Sequence, residues 1–183
     1  IEVGVITLQE QAIALQQELS GRVKAKLVSQ VRPQIGGIIK EQLFKEGSFV
    51  KQGDVLYLID SATYQATLNQ AKASLQSAKV DVLNAKTKSQ RYEELLKFDG
   101  TSKQEADDAK AVYLQAEALV QEKEANLESA KIDLERTNIK APISGYISIS
   151  SVTKGALISA NQTEALATIR DTSSVYVDVS QSN

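Results

Sequence analysis

The spacing of apolar residues changes twice along this chain of 183 residues. Between residues 61 and 137 the apolar side chains recur at alternating intervals of three and four, from Tyr64 to Leu96 and again from Ala106 to Leu134. This heptad pattern predicts two amphipathic helices that pack through a coiled-coil seam. Before and after this segment the apolar runs are short and bounded by glycine or proline, which is typical of β-strands.

The junction between the two predicted helices carries stop and start signals. Gly100 is expected to end the first helix, and Ser102 with Glu105 forms a capping box that starts the second. We therefore predict an antiparallel hairpin over 61–137, with arms of about 36 residues and roughly 55 Å. Its alanine-rich seam buries little apolar area, so neighbouring copies laid beside it should add stability. The candidates for such lateral contacts are Val80, Leu83, Val112, Leu114 and Leu119.

Charges beside the seam predict how the arms align. Lysines occupy heptad position e of the first arm, and Glu117 and Glu124 occupy position e of the second. Antiparallel coils place e beside e, so Glu117 should lie between Lys79 and Lys86. Glu124 should likewise lie between Lys72 and Lys79. Exposed pairs of this kind contribute about 1 kcal/mol or less, so they fix register more than stability.

The predicted hairpin interrupts a sequence repeat. Residues 31–39 align with residues 139–147 at a shift of 108 positions, and the alignment has no gap. Segments 28–60 and 138–171 are therefore predicted to be the two halves of one β-module. Four glycines recur at matching positions and are expected to supply positive φ in tight turns. They are Gly37, Gly47, Gly145 and Gly155.

The chain ends predict further strands. Residues 1–8 alternate between apolar and polar, residues 11–20 form a weaker candidate, and residues 172–183 place valines on one face. We interpret these ends as fragments of one further β-domain.

Composition argues against catalysis. The chain has no histidine and no cysteine, which removes the commonest general base, the usual zinc ligands and thiol nucleophiles. Adjacent carboxylates, such as those of Glu93 and Glu94, diverge by about 100° on a helix rather than converging on one substrate. We predict no enzymatic activity and no cofactor or metal. A net charge of −2 argues against a nucleic-acid partner.

No stretch approaches the roughly 20 apolar residues that cross a bilayer. Any signal peptide, lipid anchor or membrane helix is therefore expected to lie outside this segment.

The order of these elements closely resembles the periplasmic adaptor proteins, also called membrane fusion proteins, of resistance-nodulation-division drug exporters. The resemblance covers essentially the whole chain and rests on five short motifs, whose combined order is more specific than any one alone. They are Val31-Arg32-Pro33-Gln34, Leu43-Phe44-Lys45-Glu46-Gly47-Ser48, Tyr57-Leu58-Ile59-Asp60, Ala141-Pro142-Ile143-Ser144-Gly145 and Val152-Thr153-Lys154-Gly155-Ala156-Leu157.

The resemblance implies an α+β fold with three parts. A lipoyl-like (biotinyl-like) β-sandwich is expected at 28–60 and 138–171, and the long antiparallel α-helical coiled-coil hairpin of 61–137 splits it. Partial β-barrel strands are expected at 1–27 and 172–183.

The resemblance also implies a function. Adaptors of this family link a proton-driven inner-membrane transporter to an outer-membrane channel of the TolC type, and they assemble into a ring, six copies in the assembled pump. The protein would lie in the periplasm, attached to the inner membrane. The family docks its channel through an Arg, Leu and Ser motif at the hairpin tip, which corresponds here to Arg91, Leu95 and Ser102.

Two alternatives stay open at this point. An adaptor of an ABC-type exporter or a type I secretion system would share the same architecture. A lipoyl- or biotin-bearing carrier domain is less favoured, because it needs a lysine at an exposed turn between the two halves. In this chain Asp60-Ser61-Ala62 leads into the predicted helix instead.

Overall fold

Two four-stranded antiparallel sheets and one long helical hairpin form the structure, a computed structural model that describes residues 2–7, 10 and 18–179. The strands before the hairpin are β1 (Gly21–Val31), β2 (Gly37–Gln42), β3 (Phe49–Val50) and β4 (Val55–Ile59). The hairpin consists of α1 (Ala62–Leu96) and α2 (Lys103–Arg136). The strands after it are β5 (Asn138–Lys140), β6 (Gly145–Ile147), β7 (Leu157–Ile158) and β8 (Ala167–Val179).

Each sheet takes two strands from either side of the hairpin. The strand order is β1-β8-β6-β3 in the first sheet and β5-β4-β2-β7 in the second. Neither half of the repeat could form a sheet of this kind alone, because every sheet needs strands from both. The predicted fold class, a β-sandwich split by an antiparallel helical hairpin, is confirmed.

The two sheets share one aliphatic core. Ile39 and Leu56 of the second sheet and Ile147 and Ile169 of the first are almost fully buried in the same cluster. Tyr57 is also buried, and its hydroxyl oxygen lies 2.7 Å from Ser150 Oγ while donating to the Leu166 carbonyl at 3.2 Å. Burial raises the pKa of Tyr57 above its ordinary value. The buried Tyr57 hydroxyl therefore has hydrogen-bond partners inside the core, as buried hydroxyls require.

The sequence repeat corresponds to an approximate twofold exchange of hydrogen bonds. The Gly47 amide donates to the Ile147 carbonyl at 3.0 Å, and the Gly155 amide donates to the Ile39 carbonyl at 2.8 Å. Gly47 and Gly155 have φ of 73° and 88°, so the two turns are matched in conformation as well as in sequence. Gly37 and Gly145 lie instead in strands β2 and β6, with nearly extended φ of 154° and 158°, so the prediction of tight turns is wrong for these two. Gly145 is required by close packing, because a Cβ there would lie 2.7 Å from the Arg170 carbonyl carbon.

The helices are close to the predicted length. They contain 35 and 34 residues, so the hairpin projects roughly 50 Å from the sandwich at 1.5 Å per residue. The predicted seam residues meet between the helices, and several are buried. Those buried in the interface are Leu68, Leu75, Ala78, Ser89, Ala106, Ala109 and Ala130.

The chain ends differ from the sequence prediction at the N-terminal side. A strand forms in the predicted C-terminal region, but β8 begins at Ala167 rather than at residue 172, and residues 180–183 lie outside the described residues. It pairs with β1 from Val31↔Ala167 out to Gly21↔Val179. The strand predicted for residues 1–8 is wrong over the described residues 2–7, which have no strand structure. Their apolar side chains are more than 80% exposed, so alternation alone provides no neighbouring strand for the backbone to bond. Most of the weaker candidate at 11–20 lies outside the described residues.

Candidate functional site

The free end of the hairpin is closed by a tightly bonded loop between α1 and α2. The Gly100 amide donates to the Leu95 carbonyl at 2.9 Å, and the Asp99 amide donates to the Leu96 carbonyl at 3.3 Å. This bonding pattern is a Schellman motif, in which the residue after the helix is left-handed. That residue is Asp99, with φ of 54°, rather than the predicted Gly100. Aspartate tolerates this conformation because its side chain is short and polar.

The start of α2 is fixed as strongly as the end of α1. The Glu105 amide donates to Ser102 Oγ at 3.2 Å, and Glu105 Oε2 accepts from the Ser102 amide at 3.0 Å and from Thr101 Oγ1 at 2.8 Å. This arrangement confirms the predicted capping box. The backbone hydrogen bond from Ser102, followed by the Thr101 and Ser102 hydroxyls, lowers the pKa of the Glu105 carboxyl. The loop is therefore held at both ends by specific hydrogen bonds.

The three residues of the candidate docking motif lie around this loop. Arg91 is exposed on α1, and among the described residues no carboxylate forms an ion pair with it. Leu95 is 41% exposed, and its Cδ2 lies 3.4 Å from the position a Cβ would take on Gly100. Ser102 is exposed, but its hydroxyl is already committed to Glu105. Arg91 and Leu95 present free surface, whereas Ser102 shapes the loop.

Sequence reasoning missed one exposed apolar residue at the tip. Phe98 lies between the last turn of α1 and the left-handed Asp99, and it is 84% exposed. Together with Leu95 and Leu96 at the end of α1, it gives the hairpin tip three exposed apolar side chains. The sequence could have indicated the exposure of Phe98, because this large aromatic residue lies beside a helix-ending sequence and has no position in the heptad seam.

One of the interhelical ion pairs predicted from the heptad register forms in the structure. Lys79 Nζ lies 3.2 Å from Glu124 Oε1, and both side chains are half exposed. Glu117 is oriented differently from the prediction, because its carboxylate accepts a hydrogen bond from the Tyr113 hydroxyl on its own helix. That bond raises the pKa of Tyr113. In the described part of the chain Lys79 and Glu124 make the one ion pair that crosses the seam, so neither Lys72 nor Lys86 forms a predicted pair.

A cleft of about 420 Å³ lies between the base of the hairpin and the sandwich. Lys140 on β5 contacts Glu135 near the end of α2 at 2.7 Å, and Arg136 contacts Asp133 at 3.5 Å. The Lys140 ammonium lowers the pKa of the Glu135 carboxyl by donating a hydrogen bond to it. The Lys140–Glu135 pair links the end of α2 to the second sheet, whereas the Arg136–Asp133 pair lies within α2.

Residues proposed for lateral contact lie away from the seam, and all five are exposed in the single chain. The adjacent carboxylates on the helices are also exposed. Within residues 2–7, 10 and 18–179, no cluster of three potential metal-binding side chains occurs, and none of the helices is apolar enough over sufficient length to cross a bilayer.

A β-sandwich whose halves are separated by a helical hairpin defines a distinct class of protein, the barrel-sandwich hybrids that carry such a hairpin. Residues 27–170 match the family model described as the RND MFP, barrel-sandwich hybrid domain, where MFP denotes a membrane fusion protein. The chain belongs to this family.

Named relatives agree with the family. The antibiotic efflux pump periplasmic linker protein ArpA of Pseudomonas putida is 51% identical over 181 residues, which is 99% of this chain and 45% of that protein. The multidrug efflux pump subunit AcrA of Escherichia coli K12 is 44% identical over 181 residues, 99% of this chain and 46% of that protein. The chain therefore spans less than half the length of the curated relatives it matches.

A solved structure supports the fold independently. The crystal structure of a MacA–MexA chimeric protein, containing the α-hairpin domain of Pseudomonas aeruginosa MexA, superposes with a TM-score of 0.57 at 33% identity. The match covers 84% of this chain and 51% of that one.

Proposed function

We propose that this chain is the central part of a periplasmic adaptor that links a proton-driven inner-membrane drug exporter to an outer-membrane channel. The observation that carries the proposal is a long helical hairpin with an exposed cation and exposed apolar side chains at its free end. Relatives described as efflux pump periplasmic linkers support it. The chain would act by position and contact, without catalysing a reaction.

Docking at the tip would combine charge with apolar contact. The Arg91 guanidinium offers a planar fork of donors to carbonyl or carboxylate groups on the channel. Leu95 would fill an apolar depression beside it. Ser102 would contribute by holding the loop through Glu105, which explains why this position carries a capping residue.

Lateral assembly would turn single rods into a conduit. Copies standing side by side would form a ring of sandwiches and a tube of hairpins, with six copies in the assembled pump. The exposed off-seam apolar residues, such as Leu83 and Leu114, support this arrangement because neighbouring hairpins would cover them. Transport energy would come from the inner-membrane transporter, and the adaptor would be attached to that membrane.

The carrier-domain alternative has less support. Ser61 is the N-cap of α1, so the chain enters a helix where a carrier would present its modified lysine on an exposed turn. An adaptor of an ABC-type exporter would have the same hairpin tip and sandwich. The parts of the protein that contact the transporter would distinguish it from an adaptor of a proton-driven exporter.

The test is Arg91→Asp in the full-length protein, with drug efflux from cells as the readout. We expect loss of efflux with unchanged expression and helical content, because a carboxylate cannot donate to the groups that the guanidinium binds. The matched control is Lys154→Asp, a charge reversal on an exposed residue of the sandwich that forms no ion pair in the part of the chain that the structure describes. Normal efflux by the Arg91 variant would contradict the docking role.

A further inference from the structure

The cleft at the base of the hairpin is formed by three elements. Strand β1 is the outermost strand of the first sheet, and β5 is the outermost strand of the second. Residues from the ends of both strands and from the last turns of α2 line the cleft. Its volume of about 420 Å³ is within the range of pockets that bind small organic molecules.

Cations outnumber anions among the residues that line this cleft. Arg32, Arg136 and Lys140 are lining residues, and Glu135 is the one carboxylate among the described residues of the lining. Glu135 already pairs with Lys140 at 2.7 Å. Arg136 has only a longer contact of 3.5 Å, with Asp133, which does not line the cleft. The two guanidinium groups therefore supply the positive charge that remains available to a ligand.

Arg32 is the less neutralised of the two arginines. Its Nη2 donates to Gln30 Oε1 at 2.6 Å, and within residues 18–179 no carboxylate forms an ion pair with it. A neutral amide orients the guanidinium but does not balance its charge. A guanidinium has five donors in a planar fork that matches a carboxylate, so most of the Arg32 donors stay available for one.

The cleft also has apolar surface. Ile132 of α2 is 42% exposed, Pro142 is exposed just after β5, and both line the cleft together with Val31 and Ile139. An inorganic anion would leave this apolar surface in contact with water. An acidic molecule with an apolar body would cover it, and removing apolar surface from water is favourable. The lining therefore favours an amphiphilic anion over an inorganic one.

We propose that this cleft binds a small organic anion that carries one acidic group on an apolar body. The acidic group would accept hydrogen bonds from Arg32 and Arg136, and the apolar body would lie on Ile132 and Pro142. Because the lining comes from β1, β5 and α2, the bound molecule would contact both sheets and the hairpin at once. Binding would not depend on channel docking at the tip, so the two hypotheses can fail separately.

Octanoate is a suitable probe, with octanol and octylammonium as neutral and cationic probes of the same chain length. In an NMR titration of the chain, we expect saturable octanoate binding with the largest amide shifts at Asn138, Ile139 and Lys140, and weaker binding as the salt concentration rises. Octanol should bind about tenfold more weakly, because it lacks the charge-assisted hydrogen bonds, and octylammonium should not bind in the cleft. Octanoate that binds no more tightly than octanol would overturn the proposal.

Substitutions identify the groups that bind the probe. Arg32→Gln should weaken octanoate binding about tenfold and leave octanol binding unchanged. The matched control is Lys154→Gln, which removes an exposed cation in the turn before β7, at the opposite edge of the second sheet from β5. This control should bind octanoate as the wild type does. Equal losses in the two variants would mean that net charge alone attracts octanoate, and would overturn the proposal.

The apolar wall has its own test. Ile132→Ser should weaken octanoate binding about threefold, because it removes apolar surface from the cleft while keeping both arginines. Unchanged octanoate affinity in this variant would contradict an amphiphilic ligand.

Vesicles of anionic phospholipid distinguish a dissolved anion from a lipid of a bilayer. The chain should not sediment with such vesicles under the conditions of the titration. Sedimentation that Arg32→Gln abolishes would assign the cleft to a membrane surface and would overturn the proposal of a dissolved ligand.

Discussion

The sandwich and the hairpin are built on opposite principles. The sandwich buries isoleucine, leucine and tyrosine so completely that Ile39, Leu56 and Ile169 have no exposed surface. The hairpin seam is made largely of alanine and half-exposed larger residues. Burial stabilises in proportion to the apolar area removed from water, at about 25 cal/mol per Å². The sandwich is therefore stable through its own core, whereas the hairpin gains its full stability from whatever packs beside it.

The difference agrees with the proposed roles. A base that positions a rod needs one fixed geometry, which close-packed cores and constrained turns provide. A rod that assembles into a tube needs apolar surface left for its neighbours. The hairpin keeps that surface and has its strongest local bonding at the tip, where Ser102 and Glu105 hold the docking loop.

The largest expected effect concerns a glycine of the sandwich. Gly145→Ala should lower the free energy of unfolding by about 3 kcal/mol, because the new methyl group would overlap the Arg170 carbonyl and the backbone must shift. Gly47→Ala is the matched control, because a Cβ at position 47 would meet open space. The substitution should cost only about 1 kcal/mol, for placing alanine in a left-handed conformation. Chemical denaturation measures both. Equal losses of unfolding free energy in the two variants would mean that turn conformation, not close packing, determines the stability of the sandwich.

A substitution in the hairpin seam tests the stability of the hairpin separately from that of the sandwich. Leu75→Ala should cost about 2 kcal/mol, at the low end of buried leucine truncations, because the thin seam can partly collapse. Leu83→Ala, on the exposed face, should change the stability of the isolated chain by less than about 0.5 kcal/mol. Hydrogen exchange should show the Leu75 effect in the hairpin amides before the sandwich amides. Equal loss of protection in both would contradict the division into two kinds of stability.

The interhelical ion pair should have a smaller effect. Both side chains are half exposed, so Lys79→Glu or Glu124→Lys should each destabilise the hairpin by about 0.5 kcal/mol, and the double reversal should recover most of the loss. A double-mutant cycle on thermal melting measures the coupling. A coupling energy of zero at low salt would show that the pair does not select the register.

The smallest effect is a pH dependence confined to the tip. The pKa of Glu105 is lowered in the folded chain, so its stabilising contribution is complete above the unfolded pKa and disappears as the pH falls through the lower folded value. Amides of the tip loop should therefore exchange faster only in that acidic range, while sandwich amides keep their protection. Glu105→Gln should flatten this dependence, and an unchanged pH profile in that variant would exclude the capping box as its source.

Much of this architecture could be predicted from local patterns. The heptad spacing from Tyr64 to Leu134, the Ser102 capping box and the repeated glycines each depend on neighbouring residues, and all three reflect strong local preferences. The strand predicted at 1–8 failed because a strand needs a partner that sequence alternation cannot supply. The Glu117 carboxylate binds the Tyr113 hydroxyl rather than a lysine, because these contacts differ little in energy for an exposed carboxylate.

Other features could be determined only from the three-dimensional structure. The left-handed residue at the tip is Asp99 although Gly100 is the stronger sequence signal, because the hydrogen bonds of Leu95 and Leu96 decide which residue follows the helix. The exposure of Phe98 depends on three-dimensional packing. Arg91 and Leu95 were named from the family motif, whereas Phe98 beside them was not.

Crosslinking from the hairpin tip can show whether the tip contacts an outer-membrane channel. The chain has no cysteine, so a single cysteine replacing Lys103 or Lys40 gives one attachment point at the tip or on the sandwich. In the full-length protein in cells, the account predicts that the cysteine at position 103 crosslinks to an outer-membrane channel and the cysteine at position 40 does not. Crosslinking of the channel from position 40 and not from position 103 would contradict it.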